Sequence, residues 1–360
     1  MSRKVRALVI EDSAFNRRTI VSMLESSREI EVIGTAADGE EGIKQAITLK
    51  PDVITLDLEM PRMDGFTLLR ILFRKQPTPV IVISSNAHKQ NVFKALELGA
   101  LDFIAKPARH IAPELTAIRD ELVQKVMVVK QLKRAVFEDG VRTASTAVTE
   151  TTGRRRRRIS QVLGPRDTWR VAAIGASTGG PSALARVMQG LIGEPPICIL
   201  ITVHMPPKFT RAFAERLNRN SQYKVQEAED GADVVPGVAY VSPGGVHMVV
   251  ERKGKGSMVR LLEKVDGVKY TPSVDLLFGS CAEIFGRRTM GVVLTGMGDD
   301  GREGIQKIKE LGGSTIAESQ ETAVVYGMPK EAKASGAVDR QLPLGQVAAA
   351  IESFAAKREV

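Results

Sequence analysis

The chain has 360 residues, of which 43% are hydrophobic and 26% charged, a composition typical of a globular protein with two domains. Two cysteines are too few for a disulfide framework, and no apolar run approaches the roughly 20 residues that a membrane helix needs. The first apolar run is interrupted by Glu11 and Asp12, which excludes a signal peptide and predicts a cytoplasmic protein without membrane insertion.

The net charge of +9 is concentrated in one segment. Residues 1–128 and 167–360 each carry +1, whereas residues 129–166, which include Arg154–Arg158, carry +7. This segment is rich in Thr, Ser and like charge and has no apolar period, which predicts a flexible basic linker. We therefore predict two nearly neutral domains, 1–128 and 167–360, and no nucleic-acid binding. Contact of the arginines with an acidic protein surface is a further hypothesis.

Short β-branched runs alternate with amphipathic runs through the first domain. This alternation predicts a doubly wound, five-stranded parallel sheet of the flavodoxin-like type. A further helix is expected to end near Phe137. The predicted strands are Val5–Ile10, Glu31–Thr35, Val53–Leu56, Val80–Ile83 and Asp102–Ala105, and the predicted helices are Ala14–Ser27, Gly39–Leu49, Gly65–Arg74 and Gln90–Leu98.

Polar residues follow the predicted strands of this first domain. Glu11 and Asp12 follow strand one, Asp57 ends strand three, Ser84 ends strand four and Lys106 ends strand five. Ligands bind at the carboxyl edge of an open parallel sheet. Converging carboxylates favour Mg²⁺, while the lysine and the serine hydroxyl suit a phosphoryl group. The pattern predicts that Asp57 is a carboxylate nucleophile that becomes an aspartyl phosphate.

These residues, together with the run VITLDLEMPRMDG and the pair Lys106-Pro107, resemble a response-regulator receiver domain over about 120 residues. The resemblance implies phosphorylation of Asp57 by a histidine kinase, with Ser84 and Lys106 supporting the phosphoryl group. It also implies Mg²⁺ held by Glu11, Asp12 and Asp57.

The alternation resumes after the linker and predicts a second α/β domain with a mostly parallel sheet. Apolar strands are predicted at Val171–Ile174, Ile197–Thr202 and Val292–Leu294, each followed by Gly or Pro and a helical pattern. The region Val238–Leu262 is predicted to form a β-hairpin.

The first of these strands leads into the sequence Gly-Ala-Ser-Thr-Gly, with Ser177 at its centre. A G-x-S-x-G turn exposes a serine hydroxyl, and helix N–H groups near Thr178 and Gly179 could hold an oxyanion. A Gly-rich turn can also cradle a phosphate, but the signatures of a P-loop and of a dinucleotide site are absent from this sequence.

A serine nucleophile needs a base and an orienting carboxylate. His204 follows the strand Ile197–Thr202, and the pair Asp299-Asp300 follows Val292–Leu294, so one sheet edge could hold all three groups. His247 is the rival base, but it lies in the predicted hairpin, away from this edge. Residue chemistry alone does not separate Asp299 from Asp300.

The runs IGASTGGPSAL, HMPPKFTRAFAERL, PSVDLLF, VLTGMGDDGREG and VVYGMPKEA resemble the catalytic domain of the chemotaxis protein-glutamate methylesterases (CheB). The resemblance implies Ser177 as nucleophile, His204 as base, Asp300 as orienting acid and Met297 beside the oxyanion. Val203 departs from the glutamine common in that family, which affects at most a polar contact beside the base.

The resemblance implies a phosphorylation-activated esterase with no cofactor for the ester chemistry. It would demethylate receptor glutamates, deamidate receptor glutamines and give sensory adaptation. Its partners would be methyl-accepting chemoreceptors and a histidine kinase, and its unphosphorylated receiver would cover the catalytic cleft. Two alternatives are a DNA-binding response regulator, disfavoured by a nearly neutral output domain without a helix-turn-helix pattern, and a non-catalytic receptor-binding scaffold.

Overall fold

The computed structural model divides the chain into two compact units, Met1–Thr152 and Gly153–Val360. The boundaries of the linker predicted at residues 129–166 stay a prediction. Arg154–Arg158 lie outside the part of the chain that the structure describes. The described residues are 3–84, 89–106, 112–132, 137–138, 169–192 and 197–356.

The first unit is built around a parallel sheet with the strand order β2-β1-β3-β4-β5, the flavodoxin-like order. Its first three helices are capped by Ser13, Asp38 and Asp64, whose side chains accept hydrogen bonds from backbone N–H groups of the first turn. The predicted doubly wound sheet is therefore confirmed. Strands β1 to β5 span Val5–Ile10, Ile30–Ala36, Val53–Asp57, Val80–Ser84 and Asp102–Ala105, and helices α1 to α5 span Ala14–Glu25, Gly39–Leu49, Gly65–Lys75, Lys89–Glu97 and Ala112–Met127.

The chain after helix α5 is helical again near Phe137, where the sequence predicted the end of a helix. Helix α5 itself stops at Met127 and continues as a 3₁₀ turn over Val128–Lys130. The turn buries Val128 completely. Phe137 packs edge-on against Phe73 with ring centroids 6.2 Å apart. Phe137 therefore packs on the first unit, although it lies beyond the predicted domain boundary at residue 128.

The second unit contains a seven-stranded sheet in the order β14-β13-β12-β6-β7-β9-β8, in which every recorded pairing is parallel. Strands β10 and β11 form a separate antiparallel hairpin. Strands β6 to β14 span Arg170–Ala176, Ile197–Val203, Lys224–Glu227, Val238–Val241, His247–Lys253, Gly256–Leu262, Thr289–Val293, Ser314–Glu318 and Arg340–Leu342, and helices α6 to α11 span Gly180–Gly190, Phe209–Asn220, Val274–Phe285, Arg302–Glu310, Met328–Ala334 and Leu344–Ala356.

The prediction that the whole region Val238–Leu262 forms a hairpin is wrong for its first strand. Val238–Val241 joins the main sheet as a parallel strand between β7 and β8, and only the stretch from His247 to Leu262 forms the hairpin. Ala239, Tyr240 and Val241 are all buried, as expected for a strand of a parallel sheet that is covered on both faces. This burial was not recognised in the sequence, so the strand was assigned to the hairpin.

The three central strands of this sheet bring the candidate residues to one edge. Strand β6 lies between β12 and β7, and all residues of these three strands are buried. Ala176 pairs with Val203, and Val293 pairs with Gly175. The residues that follow these pairs therefore leave the sheet side by side. No helix within the described ranges is long and apolar enough to cross a bilayer.

Candidate active site

The first unit gathers three carboxylates at the carboxyl edge of its sheet. One oxygen from each of Glu11, Asp12 and Asp57 lies within 4.8 Å of the others. Glu11 and Asp57 are buried, whereas Asp12 is exposed. Hard carboxylate oxygens at this spacing are the donors that Mg²⁺ takes, so the residues fit that ion.

Lys106 balances the charge of this acidic pocket. Its Nζ lies 2.5 Å from Asp57 Oδ2 and 2.9 Å from Glu11 Oε2. Burial alone would lower the pKa of Lys106, but the two carboxylates outweigh burial and raise it. Burial raises the pKa of Glu11 despite its bond to the lysine. The backbone N–H of Lys106 donates to Ser84 O at 2.8 Å, which brings Ser84 to the same edge.

In the second unit, Ser177 occupies a sharp turn between β6 and α6. Gly179, the residue before the helix, has φ of +76°, a backbone conformation that favours glycine. The Gly180 N–H donates to Ser177 O at 2.7 Å. The serine backbone is fixed from the other side, because its N–H donates to Thr295 O at 3.0 Å. The turn therefore presents a half-buried serine at the sheet edge.

Thr295 holds the serine turn against the segment that carries Met297. Its Oγ1 donates to Thr178 O at 3.0 Å and accepts from the Val325 N–H at 3.0 Å. The backbone N–H groups of Thr178, Gly179 and Met297 make no recorded hydrogen bond within the described residues. These three amides lie on the Ser177 turn and on the segment that follows Thr295, and backbone N–H groups of this kind can hold an oxyanion.

His204 and Asp300 meet beside this turn. The His204 N–H donates to Ala176 O at 3.1 Å, so the histidine follows β7 just as the serine follows the neighbouring β6. His204 Nε2 lies 2.8 Å from Asp300 Oδ2. The structure thus brings together Ser177, His204 and Asp300.

Asp300 is buried and Asp299 is exposed, which separates two residues that residue chemistry alone left equivalent and agrees with the choice that the resemblance implied. Asp300 also accepts hydrogen bonds from Ser273 Oγ at 3.1 Å and from the backbone N–H groups of Val274 and Asp275 at 2.8 and 2.9 Å. Burial alone would raise the Asp300 pKa, but His204 and the backbone N–H groups of Val274 and Asp275 lower it. Asp300 is consequently a fixed carboxylate.

The charge of Asp300 affects the pKa values of Asp275 and His247. Burial and the charge of Asp300 raise the pKa of Asp275 to about 7, against the opposing Gly304 N–H. His247 begins the hairpin as predicted, but its side chain is buried, and Asp300 acts electrostatically on it. The prediction that His247 lies away from the sheet edge, and is not the base, stays a prediction. Burial lowers the His247 pKa, which disfavours its charged form.

Comparison with known proteins agrees with this architecture. Residues 172–351 match the family model described as CheB methylesterase, and residues 7–117 match the response regulator receiver domain. A Geobacter sulfurreducens protein named protein-glutamate methylesterase/protein-glutamine glutaminase 3 is 50% identical, with 96% of both chains covered. The chain belongs to the CheB methylesterase family.

Other CheB relatives extend the likeness. A similarly named Myxococcus xanthus protein is 49% identical over 98% of both chains. The crystal structure of the Thermotoga maritima CheB methylesterase catalytic domain is 38% identical, with a TM-score of 0.50. It covers 52% of this chain and 98% of its own.

Sequence reasoning missed several residues that shape this CheB site. Thr295 and Glu318 lie behind the Ser177 turn, and Tyr270 stacks on His204. Asp275 lies within the quoted run PSVDLLF, and Thr295 lies within VLTGMGDDGREG. These runs were the available signal, but a motif does not reveal which of its side chains point toward the site.

Proposed function

We propose that this chain is a phosphorylation-activated serine hydrolase that demethylates glutamate methyl esters and deamidates glutamines on chemoreceptors. The observation that carries the proposal is the 2.8 Å contact between His204 Nε2 and Asp300 Oδ2, beside Ser177 on the neighbouring strand. The names of the relatives support the substrate class. The receiver unit supports control by phosphorylation in sensory adaptation.

In the first half-reaction, Ser177 Oγ attacks the γ-carbonyl carbon of a methylated glutamate. His204 takes the serine proton. Because Asp300 occupies Nε2, the nitrogen that accepts this proton is Nδ1. The buried Asp300 carboxylate orients the ring and stabilises the imidazolium that forms. The tetrahedral intermediate then expels methoxide, which receives the proton from His204 and leaves as methanol.

In the second half-reaction, water hydrolyses the glutamyl-serine ester. His204 takes a proton from water as the oxygen attacks the ester carbonyl, and returns a proton to Ser177 as the carboxylate product leaves. A glutamine side chain forms the corresponding tetrahedral intermediate, its amino group takes the proton from His204 and leaves as ammonia, and the same glutamyl-serine ester remains. Neither reaction needs a cofactor beyond water.

The oxyanion of both tetrahedral intermediates would be held by backbone N–H groups of Thr178, Gly179 and Met297. Removing one oxyanion donor typically costs about 10²–10³ in turnover. The hydrogen bonds of Thr295 to the serine turn and to Val325 therefore matter for rate, because they fix the backbone that carries these donors.

The receiver unit would regulate the esterase. Asp57 would take the phosphoryl group from a histidine kinase, with Lys106 and Ser84 contacting its oxygens. Glu11, Asp12 and Asp57 would hold Mg²⁺, which supplies positive charge to offset that of the phosphoryl oxygens. Phosphorylation needs to shift an inhibited population by only a few kcal/mol to change activity substantially. We place the enzyme in the cytoplasm, where receptor signalling domains and their kinase meet.

A fluorophosphonate tests the proposed nucleophile directly, since it reacts with activated serines. Intact protein is incubated with the probe, digested, and the labelled peptide is identified by mass spectrometry. Label on Ser177 that disappears in His204→Ala is the expected result. Label elsewhere, or undiminished label in His204→Ala, would reject the assignment and favour a non-catalytic scaffold. Methanol release from methylated receptors then tests the substrate.

A further inference from the structure

Tyr270 lies against the catalytic histidine although none of the proposed steps uses it. Its ring stacks on the imidazole of His204, with centroids 5.1 Å apart and ring planes within 10° of parallel. It precedes helix α8, the element whose first residues bind Asp300. The residue that stacks on His204 and the N–H groups that bind Asp300 thus come from one short stretch of the chain.

The outer end of Tyr270 is also held in place. Its hydroxyl donates to Asp299 Oδ1 at 2.8 Å, and Lys269 Nζ lies 3.2 Å from the same oxygen. The same ammonium lies 4.6 Å from the centroid of the tyrosine ring. These contacts restrict the ring although the side chain is only half-buried.

Tyr270 also packs against the turn that carries Met297. Gly298 has φ of +92°, and a Cβ atom added there would lie 2.4 Å from the tyrosine hydroxyl oxygen. The close approach therefore requires glycine at this position. Tyr270 consequently contacts the catalytic base, the turn beside the nucleophile and the residue before Asp300.

The contacts of His204 show why a stacked aromatic ring matters for the orientation of its imidazole. One hydrogen bond, from Nε2 to Asp300, fixes one point of the imidazole but leaves its plane free to tilt. A second contact on the ring face removes that freedom. We propose that Tyr270 is a positioning residue of the esterase reaction, which holds the imidazole plane so that Nδ1 stays directed at Ser177. The inference rests on the proposed function and adds a residue to it.

The test compares four full-length proteins: wild type, Tyr270→Phe, Tyr270→Leu and Tyr270→Ala. Phenylalanine keeps the flat face and loses only the bond to Asp299, whereas leucine keeps apolar bulk without a flat face. We expect kcat for methanol release to stay within about threefold in Tyr270→Phe and to fall about 10–100-fold in the other two, because small misplacements of a catalytic group can cost about 10²-fold. KM should change much less than kcat.

The rate of fluorophosphonate labelling of Ser177 is measured on the same proteins, because it reports activation of the serine without the receptor. It should fall in parallel with kcat, while the melting temperatures of Tyr270→Leu and Tyr270→Phe stay close. Equal labelling rates in Leu, Ala and wild-type proteins would overturn the inference, as would a loss in Tyr270→Phe as large as in Tyr270→Leu. Should wild type label rapidly but release no methanol, the proposed substrate would be wrong, and the labelling series would still decide the role of Tyr270.

Discussion

The buried carboxyl of Glu318 accepts a hydrogen bond from the backbone N–H of Thr295 at 2.8 Å, directly behind the Ser177 turn. Thr295 in turn accepts through its carbonyl from the Ser177 N–H at 3.0 Å. Burial raises the pKa of Glu318 to about 7, against the opposing effects of the Thr295 N–H and the Thr322 hydroxyl. The folded protein therefore binds the Glu318 proton more tightly than the unfolded chain does.

Replacing Glu318 should alter the pH dependence of stability. The folded pKa lies above the ordinary value of 4.5, so the contribution of Glu318 is complete below about pH 4.5 and is lost as the pH rises through 7. Glu318→Gln keeps an acceptor for Thr295 and does not titrate. Relative to this variant, the free energy of unfolding of wild type should fall by on the order of 3 kcal/mol between pH 4.5 and 8.

Urea unfolding of both proteins across that range measures the difference, with exposed Glu310→Gln as the control. The control should follow the wild-type curve. A wild-type minus Glu318→Gln difference that is independent of pH would show that the carboxyl does not titrate in the folded protein between these limits.

The sequence predicted the sheet edge more accurately than the side chains that meet there. Ser177 and His204 could be placed because each follows an apolar strand, and those strands are neighbours in register. Asp299 and Asp300 could not be separated on residue chemistry, since the difference between them arises when the start of α8 turns its N–H groups toward Asp300.

Long-range contacts account for what the sequence did not reveal. Tyr270 and Glu318 reach the site from segments far along the chain, and no local pattern marks either one. His247 lies in the hairpin as predicted, but its complete burial depends on tertiary packing and could not be predicted from the sequence. The linker and Arg154–Arg158 remain a prediction from composition alone.

Asp300→Asn should disable the proposed base. Asn can offer one oxygen where the carboxylate binds His204, Ser273 and two backbone N–H groups, and it lacks the charge that stabilises an imidazolium. We expect kcat for methanol release to fall about 10²–10⁴-fold, in line with the loss of a triad carboxylate. The carboxylate of Asp299 binds Tyr270 and Lys269 instead, so Asp299→Asn should lose far less of kcat. Equal losses in the two variants would contradict the assignment of Asp300.

Gly296→Ala should displace Ser177, the proposed nucleophile. A Cβ atom at this position would lie 2.3 Å from Met328 Sδ and 2.8 Å from Ser177 Cβ. Overpacking of this kind typically costs about 1–3 kcal/mol of stability, and a moved serine should lower kcat at least about tenfold. Gly279→Ala is the matched control, because a Cβ there meets nothing within 4 Å. Wild-type kcat and stability in Gly296→Ala would show that the turn tolerates movement.

Asp57→Asn should abolish activation without disturbing the esterase residues. A small-molecule phosphoryl donor should raise methanol release by wild type, and removal of Mg²⁺ with a chelator should suppress that rise. Asp57→Asn should keep the basal rate and lose the response, whereas the exposed control Asp120→Asn should retain both. A full donor response in Asp57→Asn would place the phosphorylated residue elsewhere.

The central claim is that Ser177 attacks receptor methyl esters, and the most direct measurement is methanol release from methylated chemoreceptors by Ser177→Ala. Exposed Ser182, five residues along the chain, provides the matched Ser→Ala control. The account predicts methanol release at wild-type rates by Ser182→Ala and none above background by Ser177→Ala. Release by Ser177→Ala at the wild-type rate would contradict it.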